Sequence, residues 1–205
     1  APAFDEGLLF RVEPPRPVGT EAVAPSHVFG TIHLGGPELG IPDEARARLM
    51  ASDRYCMEMV PDAATLVGMF NRMFLPEARS LPEILGDDLW QQVGPTLSAT
   101  GLGPFAPRLQ PWAAWMLLSV PEDAGLDAMD LRLLGEAQAA NKGICQLESA
   151  DEQIDAVAGL TEADQVTLLR LAARERADLP AQMEKAVAAY KARDLGGMME
   201  LETDA

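Results

Sequence analysis

"ARARLMASDRYCMEM" at residues 45–59 and "GEAQAANKGICQLE" at residues 135–148 follow one plan. Each is a helix-forming run, a short polar turn, an apolar strand and then a glutamate. Helices that feed strands in this way predict crossover connections, strands that are parallel at least in part, and helices layered on a sheet. The echo speaks for an α/β layer architecture more than for a duplication.

Working outward, "LLFRVEP" (8–14) and "HVFGTIH" (27–33) read as two further strands, paired as an antiparallel hairpin across a long loop rich in Pro and Gly. Residues 42–52 read as a short helix with Pro42 and acidic residues at its start. The strands themselves are expected at 54–60 and 144–148. Residues 62–121 read as a largely helical insertion, capped at Asp62, whose Met and Trp residues are expected in a core. A helix over 125–143 is expected to take Asp127 as N-cap and to stop at Asn141-Lys142-Gly143. Ser149 and Glu152 have capping-box spacing, and Thr161 opens a helical tail that breaks near Pro180. The expected fold is α/β: one domain over 1–205 with a small mixed, partly parallel sheet and flanking helices.

Composition narrows the partners. The 205 residues are 48% hydrophobic, enough for a core, and no window holds the roughly 18 apolar residues of a membrane span. The net charge of −16 argues against nucleic acid and anionic membrane surfaces, whose binding rests on Lys and Arg. It is compatible with metal ions and with a peptide or other small substrate, and nothing in it argues against an oligomer. The two cysteines, Cys56 and Cys145, form no CxxC pair. Each sits in an apolar run, so buried free thiols are expected, while a disulfide requires the two runs to be neighbours. The "APAF" start is what signal-peptide cleavage leaves, so export to the periplasm or beyond is expected.

Three expected strand ends carry ligand-type residues: His33, Glu58 and Glu148. In parallel sheets the ligand site lies beyond the carboxyl ends of the strands, and neighbouring strands are about 4.8 Å apart, so these side chains can converge. Such a set suits a divalent metal (Zn, Mn or Co), which lowers the pKa of bound water toward about 7. It equally suits a glutamate base working with a histidine acid. Gly30, Thr31, Gly35 and Gln153 are candidate substrate contacts, the glycines (with Gly36) leaving room for a close approach.

Plainer roles stand beside these. His33 can simply pair with a nearby carboxylate. Glu58, between Met57 and Met59, calls for a partner if it is buried. Glu148 can serve as a helix-start acid, Asp127 as a cap, Gln153 as an ordinary helix residue, and His27 as an exposed strand-start residue. There is no GxSxG, HExxH, P-loop or GxGxxG motif.

The chain resembles the TraB/GumN family, which is related to the Tiki membrane metalloproteases and the pheromone-shutdown protein PrgY. The resemblance is carried by "LLFRVEP", "PSHVFGTIHLG", "ARARLMASDRYCMEMV", "LQPWAAWMLL", "GLDAMDLRLLGEAQAANKGICQLES" and "DEQI". It implies a metal-dependent hydrolase scaffold, peptidase-like and in many bacterial relatives exported. The family's GxxH histidine falls on His33 and its strand glutamate on Glu58, as metal ligands or catalytic groups. Glu148 falls on a further characteristic position and is expected to orient His33 or the metal. The family carries a second GxxH element near its C-terminus, and this sequence has no histidine after His33. A two-histidine metal site is therefore not expected from these 205 residues alone. Two other functions fit the same residues: a non-enzymatic exported binding protein for a peptide, lipid or glycan precursor, and a metal-independent Glu/His hydrolase. The family's link to an exopolysaccharide gene cluster suits the first of these.

Overall fold

The computed structural model describes residues 7–14, 24–33, 39–120 and 128–203. In chain order the elements are β1 (Leu9–Val12), β2 (Ser26–Phe29), α1 (Asp43–Ala51), β3 (Arg54–Met57), α2 (Ala63–Arg72), α3 (Leu81–Leu85) and α4 (Asp87–Ala99). A 3₁₀ helix (Gly103–Arg108) follows, then α5 (Pro111–Ser119), α6 (Met129–Ala139), β4 (Gly143–Gln146), α7 (Ala150–Ala158), α8 (Glu162–Glu175), α9 (Leu179–Ala192) and α10 (Leu195–Thr203).

The α/β class holds, with the strands in two small sheets. β1 and β2 pair antiparallel, Leu9 opposite Phe29 and Val12 opposite Ser26, as the hairpin expectation has it. β3 and β4 pair in parallel. Their ladder is framed by Gly143 N donating to Asp53 O (3.1 Å) and by Leu147 N donating to Met57 O (2.9 Å). Among the described residues the two pairs do not merge into one sheet. Periodicity identifies which segments extend; it does not say which of them pair.

The local punctuation works as its chemistry dictates. Asp62 accepts from Thr65 N and caps α2. Ser149 and Glu152 form the full capping box on α7, and Thr161 caps α8 by accepting from Asp164 N. Gly86, at φ 73°, supplies the left-handed backbone that ends α3 and starts α4. Asn141, also at positive φ (55°), closes α6. Asp127, the expected cap of α6, lies outside the described residues.

The chain divides into two compact units. The first comprises Ala1–Tyr55, Ala124–Cys145 and Ala181–Ala205. Its core sets Ala45 and Leu49 of α1 with Met129, Leu133 and Ala137 of α6, joined by Leu8, Ile32, Leu39, Ile41 and Tyr190. These positions recur every four residues on each helix, so each helix offers one apolar stripe. Arg46 of α1 forks onto the Glu136 carboxylate at 2.9–3.2 Å over the same contact.

The second unit comprises Cys56–Asp123 and Gln146–Pro180. Leu81, Leu85, Leu89, Val93 and Leu97 run down α3 and α4 at intervals of four. They pack with Trp112, Ala113, Ala114 and Leu118 of α5 and Leu169 of α8. Trp90, Trp115, Met69 and Met73 are partly buried against the same cluster, in line with the core expectation for this segment, whereas Met116 is exposed. One buried polar side chain locks it. Gln165 Oε1 accepts from Trp112 N (3.3 Å), while Nε2 donates to Ala158 O (3.2 Å) and Leu160 O (3.0 Å). Both its polar atoms are hydrogen-bonded, so its burial costs little.

Candidate functional site

β2 ends at Phe29, four residues short of His33. Gly30 N makes the last ladder bond, to Leu8 O at 2.8 Å. β1 begins at Leu9, and Gly7 N already donates to Arg193 O, so among the described residues the ladder goes no further. Ile32 then drops into the core and turns His33 outward. His33 therefore stands on a segment after the strand, not on the strand end expected from the sequence. A Cβ at Gly30 would meet only Leu8 O, at an ordinary 3.8 Å, so close backbone approach is not what calls for glycine there. Thr31 is half-buried, and Gly35 and Gly36 lie outside the described residues.

His33 has a partner that sequence reading did not single out. Its Nδ1 lies 3.5 Å from Oδ1 of Asp130, in the first turn of α6. The Asp130 side chain is only 16% exposed, while the imidazole is 68% exposed. The separation is long for a formed N–H···O bond, and Oδ1 is buried without accepting a hydrogen bond of ordinary geometry. The contact combines a long hydrogen bond with a charge pairing, the hydrogen bond being the larger influence on the carboxyl. His33 holds the Asp130 carboxyl below the usual carboxylate range; burial opposes this, and the first amides of α6 assist. Local sequence offers one clue, an acid in the first turn of a helix, and that clue also describes ordinary helix starts.

His33, Gly30 and Thr31 belong to the first unit; Glu58, Glu148 and Gln153 belong to the second. Alternation along β3 buries Met57 and leaves Glu58 exposed just past the strand. The expected buried carboxylate is thus a solvent-facing one. Glu148 is exposed as well, and its N–H donates to Glu58 O at 2.8 Å, so the two glutamates do sit on adjoining backbones. Gln153 is half-buried on α7. Both cysteines are disulfide-bonded, and since the chain has only two they are bonded to each other. This replaces the free thiols expected from the sequence: the parallel pairing of β3 and β4 makes their two runs neighbours. Among the described residues no group of three or more His, Cys, Asp or Glu side chains is arranged to hold a metal ion.

Fold and site together define a helix-rich α/β protein that presents a histidine backed by a largely buried carboxylate. The family model of the TraB/PrgY/gumN family matches residues 18–205, and the chain belongs to that family. No curated protein and no solved structure matches it.

Proposed function

We propose that this chain is a hydrolase of the TraB/PrgY/gumN type, peptidase-like and exported, that works through His33 oriented by Asp130. The observation behind it is the exposed imidazole with Nδ1 turned to a largely buried carboxylate. That arrangement favours one tautomer and leaves Nε2 on the side away from Asp130. Nε2 takes a proton from water as the water oxygen bonds to the substrate's carbonyl carbon. The same proton then passes to the leaving nitrogen as the C–N bond breaks. Glu58 and Glu148 enter the proposal through the family resemblance, as base or ligand and as orienting carboxylate.

A structural or catalytic zinc takes about three or four protein ligands. His33 and Asp130 supply two, and the described residues offer no group of three. The proposed steps use the protein's own groups, and the metal titration below decides whether an ion joins them. Disulfides persist in oxidising compartments, and the Cys56–Cys145 bond is the physical support for export.

Turnover of peptide and ester substrates by wild type, His33→Ala, Asp130→Asn and Glu58→Ala, with and without a strong chelator, tests the reading. Loss of turnover in His33→Ala, with a lesser loss in Asp130→Asn, is expected. Undiminished turnover in His33→Ala would sink it. Calorimetric titration of chelator-stripped protein with Zn²⁺, Mn²⁺ and Co²⁺ decides the metal: stoichiometric binding abolished by His33→Ala would add an ion to the site.

One observation favours a second reading, that of a binding protein. Leu66, Val67 and Phe70 of α2 are exposed (51%, 61% and 42%), and Phe74 stacks edge-on against both Phe70 and Phe105. An apolar face of this kind suits a peptide or lipid. Absence of turnover in wild type, with ligand binding lost in Phe70→Ser, is the result that reading requires.

A further inference from the structure

The chain has two tyrosines, and both hydroxyls land on backbone carbonyls of the His33–Asp130 site. Tyr190, on α9, donates to Gly30 O at 2.8 Å. Gly30 opens the segment that ends in His33, and the two partners are 160 residues apart in sequence. The same hydroxyl lies 3.1 Å from Sδ of Met129, the residue before Asp130 on α6. One buried O–H therefore touches the histidine-bearing segment and the aspartate-bearing helix together. Tyr55, on β3, donates to the carbonyl of Asp130 itself at 3.3 Å.

We infer that Tyr190 and Tyr55 are positioning residues that hold the His33 segment and the start of α6 in register, so that Nδ1 of His33 faces Asp130. The inference rests on reading His33 and Asp130 as the working pair. The need for such bracing is physical. Gly30 makes the last ladder bond, so the segment from Thr31 to His33 is held by no ladder, and a two-strand hairpin is marginal on its own. The start of α6 has no side-chain cap on Ala128. Ile32 anchors the segment by burial but does not set the height of Gly30 against α6; a directional hydrogen bond does. Burial pushes both phenols up to about 12, Tyr55 with a further contribution from the Asp130 charge, so both remain donors at neutral and mildly alkaline pH.

The test reads the imidazole tautomer. The chain has two histidines, so nitrogen-detected spectra of histidine-labelled protein hold two sets of signals, assigned with His33→Ala. In wild type the neutral His33 ring is expected with its proton on Nδ1. Tyr190→Phe and Tyr55→Phe each remove one hydroxyl and keep the ring in place. In each, the ratio of Nδ1–H to Nε2–H tautomer is expected to fall by up to about two-fold, the share of the contact that survives when the ring is neutral and largely exposed. The two variants act from different elements, so either one that keeps the wild-type circular dichroism suffices. A His33 spectrum identical to wild type in the folded variants would overturn the inference. A shifted ratio together with undiminished turnover in His33→Ala would uphold the positioning and refute the hydrolytic reading, so the two failures are distinct.

Discussion

Breaking the His33–Asp130 contact in both directions tests the heart of the site. The perturbation is a double-mutant cycle of His33→Ala and Asp130→Asn, read by chemical denaturation. Two unit charges 3.5 Å apart interact by roughly 5 kcal/mol at an effective dielectric of about 20, and by about 1 kcal/mol in water. The imidazole is two-thirds in water, so the lower figure governs, and a coupling of about 1 kcal/mol is expected when the ring is charged. The sign follows from the carboxyl. Its folded pKa is depressed, so its contribution is present above the ordinary carboxylate range and is lost as pH falls through the lower folded value. On the other side, the coupling fades once the imidazole loses its charge. Cycles run near pH 5 and near pH 9 should therefore give about 1 kcal/mol and then a few tenths. Zero coupling near pH 5, or an undiminished value near pH 9, would refute the charge pairing.

Reduction of the disulfide, or a double change of Cys56 and Cys145 to serine, is expected to cost about 2–4 kcal/mol, because the bond closes a long loop in the unfolded chain. Denaturation with and without reductant measures it; a shift only in the serine variant would point to a thiol effect instead. Gln165→Leu strands the Trp112 amide and should destabilise the second unit by about 2–3 kcal/mol, seen as a lower denaturation midpoint at unchanged slope. Leu97→Ala, at a fully buried position, should cost about 2–5 kcal/mol in the same assay. In alkali, the raised pKa of both tyrosines means a contribution fully present below about 10 and lost as pH rises through about 12. Phenolate absorbance in the folded protein should stay low at pH 10, and its appearance there would contradict the buried hydroxyls.

Most elements were legible in the sequence because their signals are local. Asp62, Ser149 with Glu152, and Thr161 act on amides within three residues, so spacing alone announces them. The apolar stripes of α1, α4 and α6 are likewise properties of one helix, as is the alternation that makes β3 a strand. The candidate site was legible in part. His33 drew notice through its motif, but its place past the strand was set by where β1 starts, and β1 lies in another segment. Glu58 read as a buried acid because its neighbours are methionines; its exposure follows from the face that β3 turns outward.

The sequence by itself determined the class of the fold, the capped starts of α2, α7 and α8 and the family to which the chain belongs, while α6 spans only Met129–Ala139 of the 125–143 expected. Only the tertiary structure decided that Asp130 is the partner of His33, that Cys56 and Cys145 are joined, and that Tyr190 reaches Gly30 across 160 residues. The reason is range. Capping, periodicity and turn chemistry act within one or two helical turns and leave a mark at fixed spacing. A pairing between distant segments leaves no such mark, because packing of the whole core chooses which segments meet.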